Sequence, residues 1–140
     1  MNDQKFVQVV SLTTGGSLEE VFDNIVREEI AESPYIENVF LISKTGLMIA
    51  GKSRASSYSE TFSAMAAVMY SSAESARSVN SKEKLDYLKV VFENTKIFIK
   101  ELNAALLLVA IVNREVDDLK AINDMQKIMI RIKENFVWLR

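Results

Sequence analysis

The chain has 140 residues, with 49% hydrophobic and 26% charged residues and a formal net charge of -2 at pH 7. This length and composition are those of one folded domain, and the weak negative charge gives no reason to expect nucleic acid as a partner. The sequence contains no Cys, which excludes disulfides and thiolate chemistry, and no His, the commonest catalytic base and metal ligand. We therefore expect no hydrolytic triad, no zinc site and no cofactor.

No segment of the sequence has the length and hydrophobicity of a membrane span. The longest apolar run, residues 104–112, is far shorter than the roughly 18 residues that cross a bilayer. The first residues also lack the basic segment followed by a long apolar one that is typical of a secretory leader. We expect a cytoplasmic protein.

The chain begins with an N-terminal arm, residues 1–16, whose structure stays open because its Val-rich sequence fits either a strand or a helical face. Ser17 and Glu20 then form a capping box. This pattern predicts a first helix that runs to about Ser33 and is ended by Pro34.

Two short apolar runs follow, Ile36–Ser43 and residues 47–50, and they flank the sequence Lys-Thr-Gly. Two such runs separated by a few residues that end in Gly predict a β-hairpin. We expect Gly46 to adopt a positive φ in the turn, because other residues do so at a steric cost.

The second helix begins at a second capping box, formed by Ser57 and Glu60, and carries mostly small side chains. Its small stripe repeats every four positions and consists of Ser63, Ala67, Ser71 and Ser75. An adjacent, bulkier stripe contains Phe62, Met65 and Met69. We expect the bulky stripe to pack on a sheet and the small stripe to approach a second helix, either within the chain or from another subunit.

Three strands and a last helix complete the predicted elements. Residues 85–92 alternate in part between apolar and polar, which predicts an edge strand, and residues 96–102 form the next strand. Residues 104–112 have no polar face, so we place them near the sheet centre, beside residues 39–42. The helical period returns over residues 117–139.

The resulting order, α-β-β-α-β-β-β-α, predicts an α/β fold of the α+β type. We expect a five-stranded, mostly antiparallel sheet with helices on both faces. Residues 17–140 then form a single domain.

This element order, the hairpin sequence VFLISKTGLMIA at residues 39–50 and the sequence FSAMAA at residues 62–67 resemble the roadblock or dynein light-chain family. Within that family the likeness is to the MglB-like regulators of small GTPases, and it covers roughly residues 17–139. The resemblance implies a homodimer or heterodimer in which the middle helices pair and the third strands join edge to edge. It also implies a protein partner, because family members often bind Ras-like small GTPases or serve as scaffold subunits.

The expected sites lie on the middle helix and the third strand. For the dimer interface we predict Ser63, Ala67, Ser71, Ser75, Lys89 and Val91. For the partner surface we predict Tyr58, Glu60, Tyr70, Glu74 and Arg77, with ordinary helix exterior as the alternative for each. We predict no catalytic residue and no metal ligand.

Two charged features have alternative interpretations. Arg54 and Arg77 flank the middle helix, and an Arg supplied to a GTPase can stabilise a transferring phosphoryl group, although both also fit a solvated surface. The acidic residues Glu115, Asp117 and Asp118 are numerous enough to hold a hard cation, but we favour a role in capping the last helix.

The chain lacks the sequence G-x-x-x-x-G-K-[ST], so we do not expect it to be the GTPase itself. Our functional hypothesis is a non-enzymatic dimeric regulator or binding partner of a Ras-like small GTPase. The alternative is a structural adaptor or scaffold subunit of the same fold that has no effect on nucleotide turnover. A small-ligand sensor is a third class, for which the apolar runs leave few convergent polar groups.

Overall fold

The structure is a computed structural model that describes residues 17–51 and 60–136. Its helices are α1 (Leu18–Glu32), α2 (Glu60–Ser78) and α3 (Asp118–Asn135). Its strands are β1 (Ile36–Ser43), β2 (Met48–Ala50), β3 (Leu88–Val91), β4 (Thr95–Glu101) and β5 (Leu106–Asn113). The predictions for the N-terminal arm, Arg54, Ser57 and Tyr58 lie outside the described residues.

The five strands form one antiparallel sheet in the order β2-β1-β5-β4-β3. The predicted element order and fold class are therefore confirmed. Every residue from 106 to 112 in β5 is buried, and this strand lies at the sheet centre beside β1. A strand without a polar face must be covered on both sides, which leaves the edges of the sheet to β2 and β3.

Local sequence signals account for the first helix and the hairpin. Ser17 Oγ accepts a hydrogen bond of 3.1 Å from the backbone N–H of Glu20, which satisfies a donor that the first helical turn cannot pair. Gly46 has a φ of +100°, as the hairpin prediction requires. A Cβ at Gly46 would lie 3.0 Å from Ala64 Cα, so glycine permits both the turn and the close approach of α2.

Hydrophobic clusters cover both faces of the sheet. α1 and α3 cover one face, where they pack on strand residues such as Leu41 and Leu108. α2 covers the other face, where it packs on residues such as Phe40 and Val109. Neighbouring strand residues belong to different clusters because successive side chains point to opposite faces. In the described part of the chain, the second face is covered by a single helix.

The structure corrects the predicted orientation of α2. Ser63 and Ala67, which we expected to face a second helix, are buried against the sheet, whereas Met65 is 62% exposed. The physical reason is close packing, since Ser63 Oγ donates a hydrogen bond of 2.7 Å to the carbonyl oxygen of Gly46. Tyr70 completes the inward stripe, seven residues after Ser63.

The ends of two strands differ from the prediction. β3 is shorter than predicted, because residues 85–87 pair with no strand in the described structure. β5 begins at Leu106, because the Asn103 side chain accepts hydrogen bonds of 2.8 Å from the N–H groups of both Ala105 and Leu106. None of the described helices is both long enough and apolar enough to cross a membrane.

A buried polar cluster joins the α1–β1 connection to α3. Asp124 is 4% exposed and accepts hydrogen bonds from Ser33 Oγ, at 2.9 Å, and from the Tyr35 hydroxyl. Burial alone would raise the pKa of Asp124, but these hydrogen bonds, together with Lys120 and Lys127, hold the pKa below its usual value. The cluster therefore fixes α3 against the start of β1.

Candidate dimer and partner-binding surface

An apolar groove of about 580 Å³ lies between α2 and the β3–β4 hairpin. Met65, Val68 and Phe92 line it and are 62%, 64% and 48% exposed. Phe62 and Met69, which we predicted to pack on the sheet, are partly buried and join the hydrophobic cluster beneath it. Large apolar side chains that are exposed together mark a surface where another molecule removes them from water.

The strand next to this groove, β3, has one unpaired side. The N–H of Phe92 donates a hydrogen bond of 2.8 Å to the carbonyl oxygen of Thr95, which places the following ladder bonds at every second residue before Phe92. The backbone N–H and C=O groups of Lys89 and Val91 therefore point away from β4, and within residues 17–51 and 60–136 no strand forms ladder hydrogen bonds with these outward groups. Such an edge is a template for another strand.

A carboxylate from α3 binds the charged residue of this edge. Asp118 Oδ2 accepts a hydrogen bond of 2.6 Å from Lys89 Nζ, and Asp118 Oδ1 accepts one of 2.6 Å from Lys96 Nζ. The hydrogen bond from Lys89, with that from Lys96, holds the pKa of Asp118 below its usual value, and the same bond raises the pKa of Lys89. Asp117 is the N-cap residue of α3, as we favoured, but its side chain makes no capping hydrogen bond.

The residues predicted for the dimer interface divide into two groups. Ser71, Ser75, Lys89 and Val91 are exposed. Ser63 and Ala67 lie inside the domain. Val68 and Phe92 belong to neither set of residues predicted from the sequence. The available signal was that α2 is apolar on more than two stripes, which is typical of a helix with contacts on several sides.

The residues predicted for the partner surface do not form one patch. Glu60 and Arg77 are exposed near opposite ends of α2, about 25 Å apart along the helix axis. Arg77 Nε donates a hydrogen bond of 3.0 Å to Glu83, and Arg77 lines a cavity of about 270 Å³ together with the half-buried Glu74. Tyr58 lies outside the described residues.

Tyr70 is a correction to the partner-surface prediction, because it is only 1% exposed. Burial raises its pKa to about 12, and the carboxylates of Glu101, Glu74 and Asp86 add to this effect. Lys44 Nζ lies 6.0 Å from the centroid of the Tyr70 ring. Tyr70 therefore belongs to the packing of α2 on the sheet.

The fold and these surfaces define a small antiparallel-sheet domain with an open helix face next to an open strand edge. Residues 22–113 match the family model of the Roadblock/LC7 domain, from α1 to the end of β5. The chain belongs to the Roadblock/LC7 family. A comparison with curated protein sequences finds no match.

Solved structures with the same fold include three informative neighbours. The Roadblock/LC7 domain from Streptomyces avermitilis has a TM-score of 0.63 and 19% identity, over 74% of this chain and 88% of that chain. Myxococcus xanthus MglB has a TM-score of 0.69 and 13% identity, over 88% and 90%. An MglB structure described as having a tetrameric arrangement has a TM-score of 0.72 and 13% identity, over 89% and 94%. At these identities, the likeness shows the fold alone.

Proposed function

We propose that this protein is a dimeric, non-enzymatic regulator or binding partner of a Ras-like small GTPase. The observation that carries the proposal is the apolar groove on α2 beside the unpaired edge of β3. Membership of the Roadblock/LC7 family supports the proposal, because the roadblock resemblance of the sequence implies dimers that bind such GTPases.

In the proposed dimer, the β3 strands of two copies pair across a two-fold axis perpendicular to the sheet. The pairing satisfies the outward backbone groups of Lys89 and Val91 and joins the two sheets. The α2 helices then meet on one face of the joined sheet, where Met65 and Val68 of each copy fill the groove of the other. Removing these side chains from water contributes the hydrophobic part of the association free energy. A paralogue with the same edge would form the corresponding heterodimer.

The proposed partner surface is centred on Glu74 and Arg77, which line one cavity. Glu60, near the other end of α2, and Tyr58 stay separate predictions for the same partner. A regulator can hold the switch segments of a GTPase in one conformation without donating a catalytic side chain. We therefore do not assign Arg77 the role of an arginine finger, since its guanidinium already binds Glu83.

A structural adaptor of the same fold is the second candidate function. The ion pair between Arg77 and Glu83 is compatible with it, because an adaptor needs no free guanidinium. An MglB structure of this fold has a tetrameric arrangement, so assembly is within the capacity of the fold. In this version, the protein binds its partners and leaves nucleotide turnover unchanged.

The test uses purified Ras-like GTPases encoded by the source organism, each loaded with GDP or with a non-hydrolysable GTP analogue. Binding is measured by calorimetry, and hydrolysis and exchange are measured with and without the protein. Binding that changes either rate supports the regulator, and binding without such a change supports the adaptor. Arg77→Glu should weaken binding, whereas the control Arg27→Glu, at an exposed position of α1, should not. If no GTPase binds in either nucleotide state, the proposed function is wrong.

A further inference from the structure

The ion pair between Lys89 and Asp118 lies at the proposed seam, which is the junction between the β3 strands of the two copies. Lys89 lies within β3 with its backbone groups on the unpaired side, and its Nζ is 2.6 Å from Asp118 Oδ2. Its neighbours Leu88 and Val90 pack toward the α2 face, so the side chain of Lys89 lies on the α1/α3 face. The Lys89 and Asp118 side chains are 37% and 35% exposed, so a strand that docks here removes water from them.

Pairing of the two β3 strands about an axis near Lys89 or Val90 would bring two Lys89 side chains together, and the proposal takes this register. The two-fold axis keeps both lysines on the same face of the joined sheet. With the axis near Lys89 or Val90, they are directly opposite or diagonal, with Cβ atoms about 5 to 8 Å apart. Like charges at such positions destabilise a strand pair, and lysine on an edge strand commonly prevents edge pairing. Lys89 therefore opposes dimerisation unless its charge is neutralised.

Asp118 is held in position independently of Lys89. Its other oxygen, Oδ1, binds Lys96 Nζ at 2.6 Å, and Lys96 is itself only 7% exposed. Lys96 Nζ also donates a hydrogen bond of 2.5 Å to the carbonyl oxygen of Val116, just before α3. Asp118 is the first residue of α3, where the helix dipole favours a negative charge. The carboxylate is thus fixed before a partner arrives, with one oxygen directed at Lys89.

We propose that Asp118 makes the β3 edge competent to pair with a second copy of this chain by neutralising Lys89 at the seam. The inference rests on the proposed dimer. It adds Asp118 of α3 to the interface, a residue that belongs neither to the predicted dimer interface nor to the predicted partner surface. The occupant is the second copy of the proposed dimer, whose β3 edge carries the same Lys89. On the α1/α3 face of the seam, each Asp118 offsets part of the positive charge of Lys89 and Lys96, and the opposite face is apolar at Val90 and Phe92.

The test is a double-mutant cycle on the dimer dissociation constant, measured by analytical ultracentrifugation of the full chain. Asp118→Asn should weaken the dimer roughly three- to tenfold, because two lysines then meet without their counter-charges. The effect should be smaller at high salt. Adding Lys89→Met to Asp118→Asn should restore the constant to within about twofold of that of Lys89→Met alone, the remaining variant of the cycle, because the repulsion is removed with the charge. The control Glu28→Gln, which breaks an ion pair with Arg131 away from the seam, should leave the constant unchanged.

Asp118→Asn also takes the ion-pair partner from the buried Lys96, so loss of folding is a second route to a weaker dimer. The double variant separates the two routes, because Lys96 stays unpaired in it. A double variant as weak as Asp118→Asn alone overturns the inference, and so does an unchanged constant in Asp118→Asn. A wild-type chain that stays monomeric at every concentration refutes the proposed dimer itself, and the inference with it.

Discussion

Ser63 Oγ in α2 donates a hydrogen bond of 2.7 Å to the carbonyl oxygen of Gly46 in the β1–β2 turn. Ser63 has no exposed surface, so this contact fixes which side of α2 faces the sheet. Residues two and five positions further along a helix lie on its far side, and these residues are Met65 and Val68. The packing of Ser63 on the sheet therefore leaves Met65 and Val68 exposed on the side of α2 that would face the second copy in the proposed dimer.

Replacing Ser63 with Leu should lower the free energy of unfolding by about 2–4 kcal/mol. The variant loses a buried hydrogen bond and forces extra volume between α2 and the hairpin turn. Urea unfolding followed by circular dichroism, at one protein concentration, measures the change. Gln126→Leu, at an exposed position of α3, is the control and should change stability by less than about 0.5 kcal/mol. Equal losses in both variants would contradict the orientation of α2.

Acid should destabilise the protein in part through Asp124. Burial opposes ionisation of this carboxyl, but hydrogen bonds from Tyr35 and Ser33 hold its pKa below the usual value. As the pH falls, Asp124 binds a proton near pH 4 in the unfolded chain but only at a lower pH in the folded state. The ionised carboxyl therefore stabilises the folded state above about pH 4, and this contribution is lost as the pH falls through the lowered pKa. Asp124→Asn should therefore lose less stability on acidification than the wild type.

The same variant should be less stable than the wild type at neutral pH by about 1–3 kcal/mol, because a neutral amide oxygen accepts weaker hydrogen bonds than a carboxylate and does not attract Lys120 and Lys127. Urea unfolding across the acid range measures both effects. Asp117→Asn, at an exposed carboxyl without a side-chain capping bond, is the control and should change the stability at neutral pH by less than about 0.5 kcal/mol. If Asp124→Asn shows the acid dependence of the wild type, Asp124 is not the group responsible.

Tyr70 should ionise at unusually high pH. Burial raises its pKa to about 12, so its hydroxyl stays protonated where an ordinary tyrosine, with a pKa of about 10, ionises. The resulting stabilisation is complete below about pH 10 and is lost as the pH rises through the folded pKa. The difference between absorbance titrations of the wild type and Tyr70→Phe should show phenolate formation near pH 12. A step near pH 10 would show that the Tyr70 ring is in contact with water.

Local signals in the sequence were sufficient for most of the fold. The capping residue Ser17, the turn glycine Gly46 and the apolar run of β5 each act through neighbours in sequence, so their patterns predicted a helix start, a hairpin and a central strand. The orientation of α2 could not be predicted in this way. Small residues permit close approach either to a sheet or to a helix, and periodicity alone does not distinguish Ser63 from Met65 as the inward residue.

The candidate site was only partly predictable for a related reason. Lys89 and Val91 followed from the alternation of an edge strand together with the family resemblance. The pairing of Asp118 with Lys89 and Lys96 joins α3 to two strands, and no local spacing indicates such a contact. Tyr70 was misassigned because a polar hydroxyl on a helix suggests exposure, although its ring is packed on the sheet.

The measurement that tests the central claim most directly is the dimer dissociation constant of Met65→Asp beside that of Ile130→Asp. Met65 and Ile130 are 62% and 48% exposed on helices of opposite faces, so the two variants place the same charge on exposed apolar positions. If α2 forms the dimer interface, sedimentation equilibrium should show that Met65→Asp weakens association at least about 100-fold, since it buries an unpaired charge. Ile130→Asp, far along α3 from Asp118, should dimerise like the wild type. Unchanged association in Met65→Asp, or a larger loss in Ile130→Asp, would contradict the account.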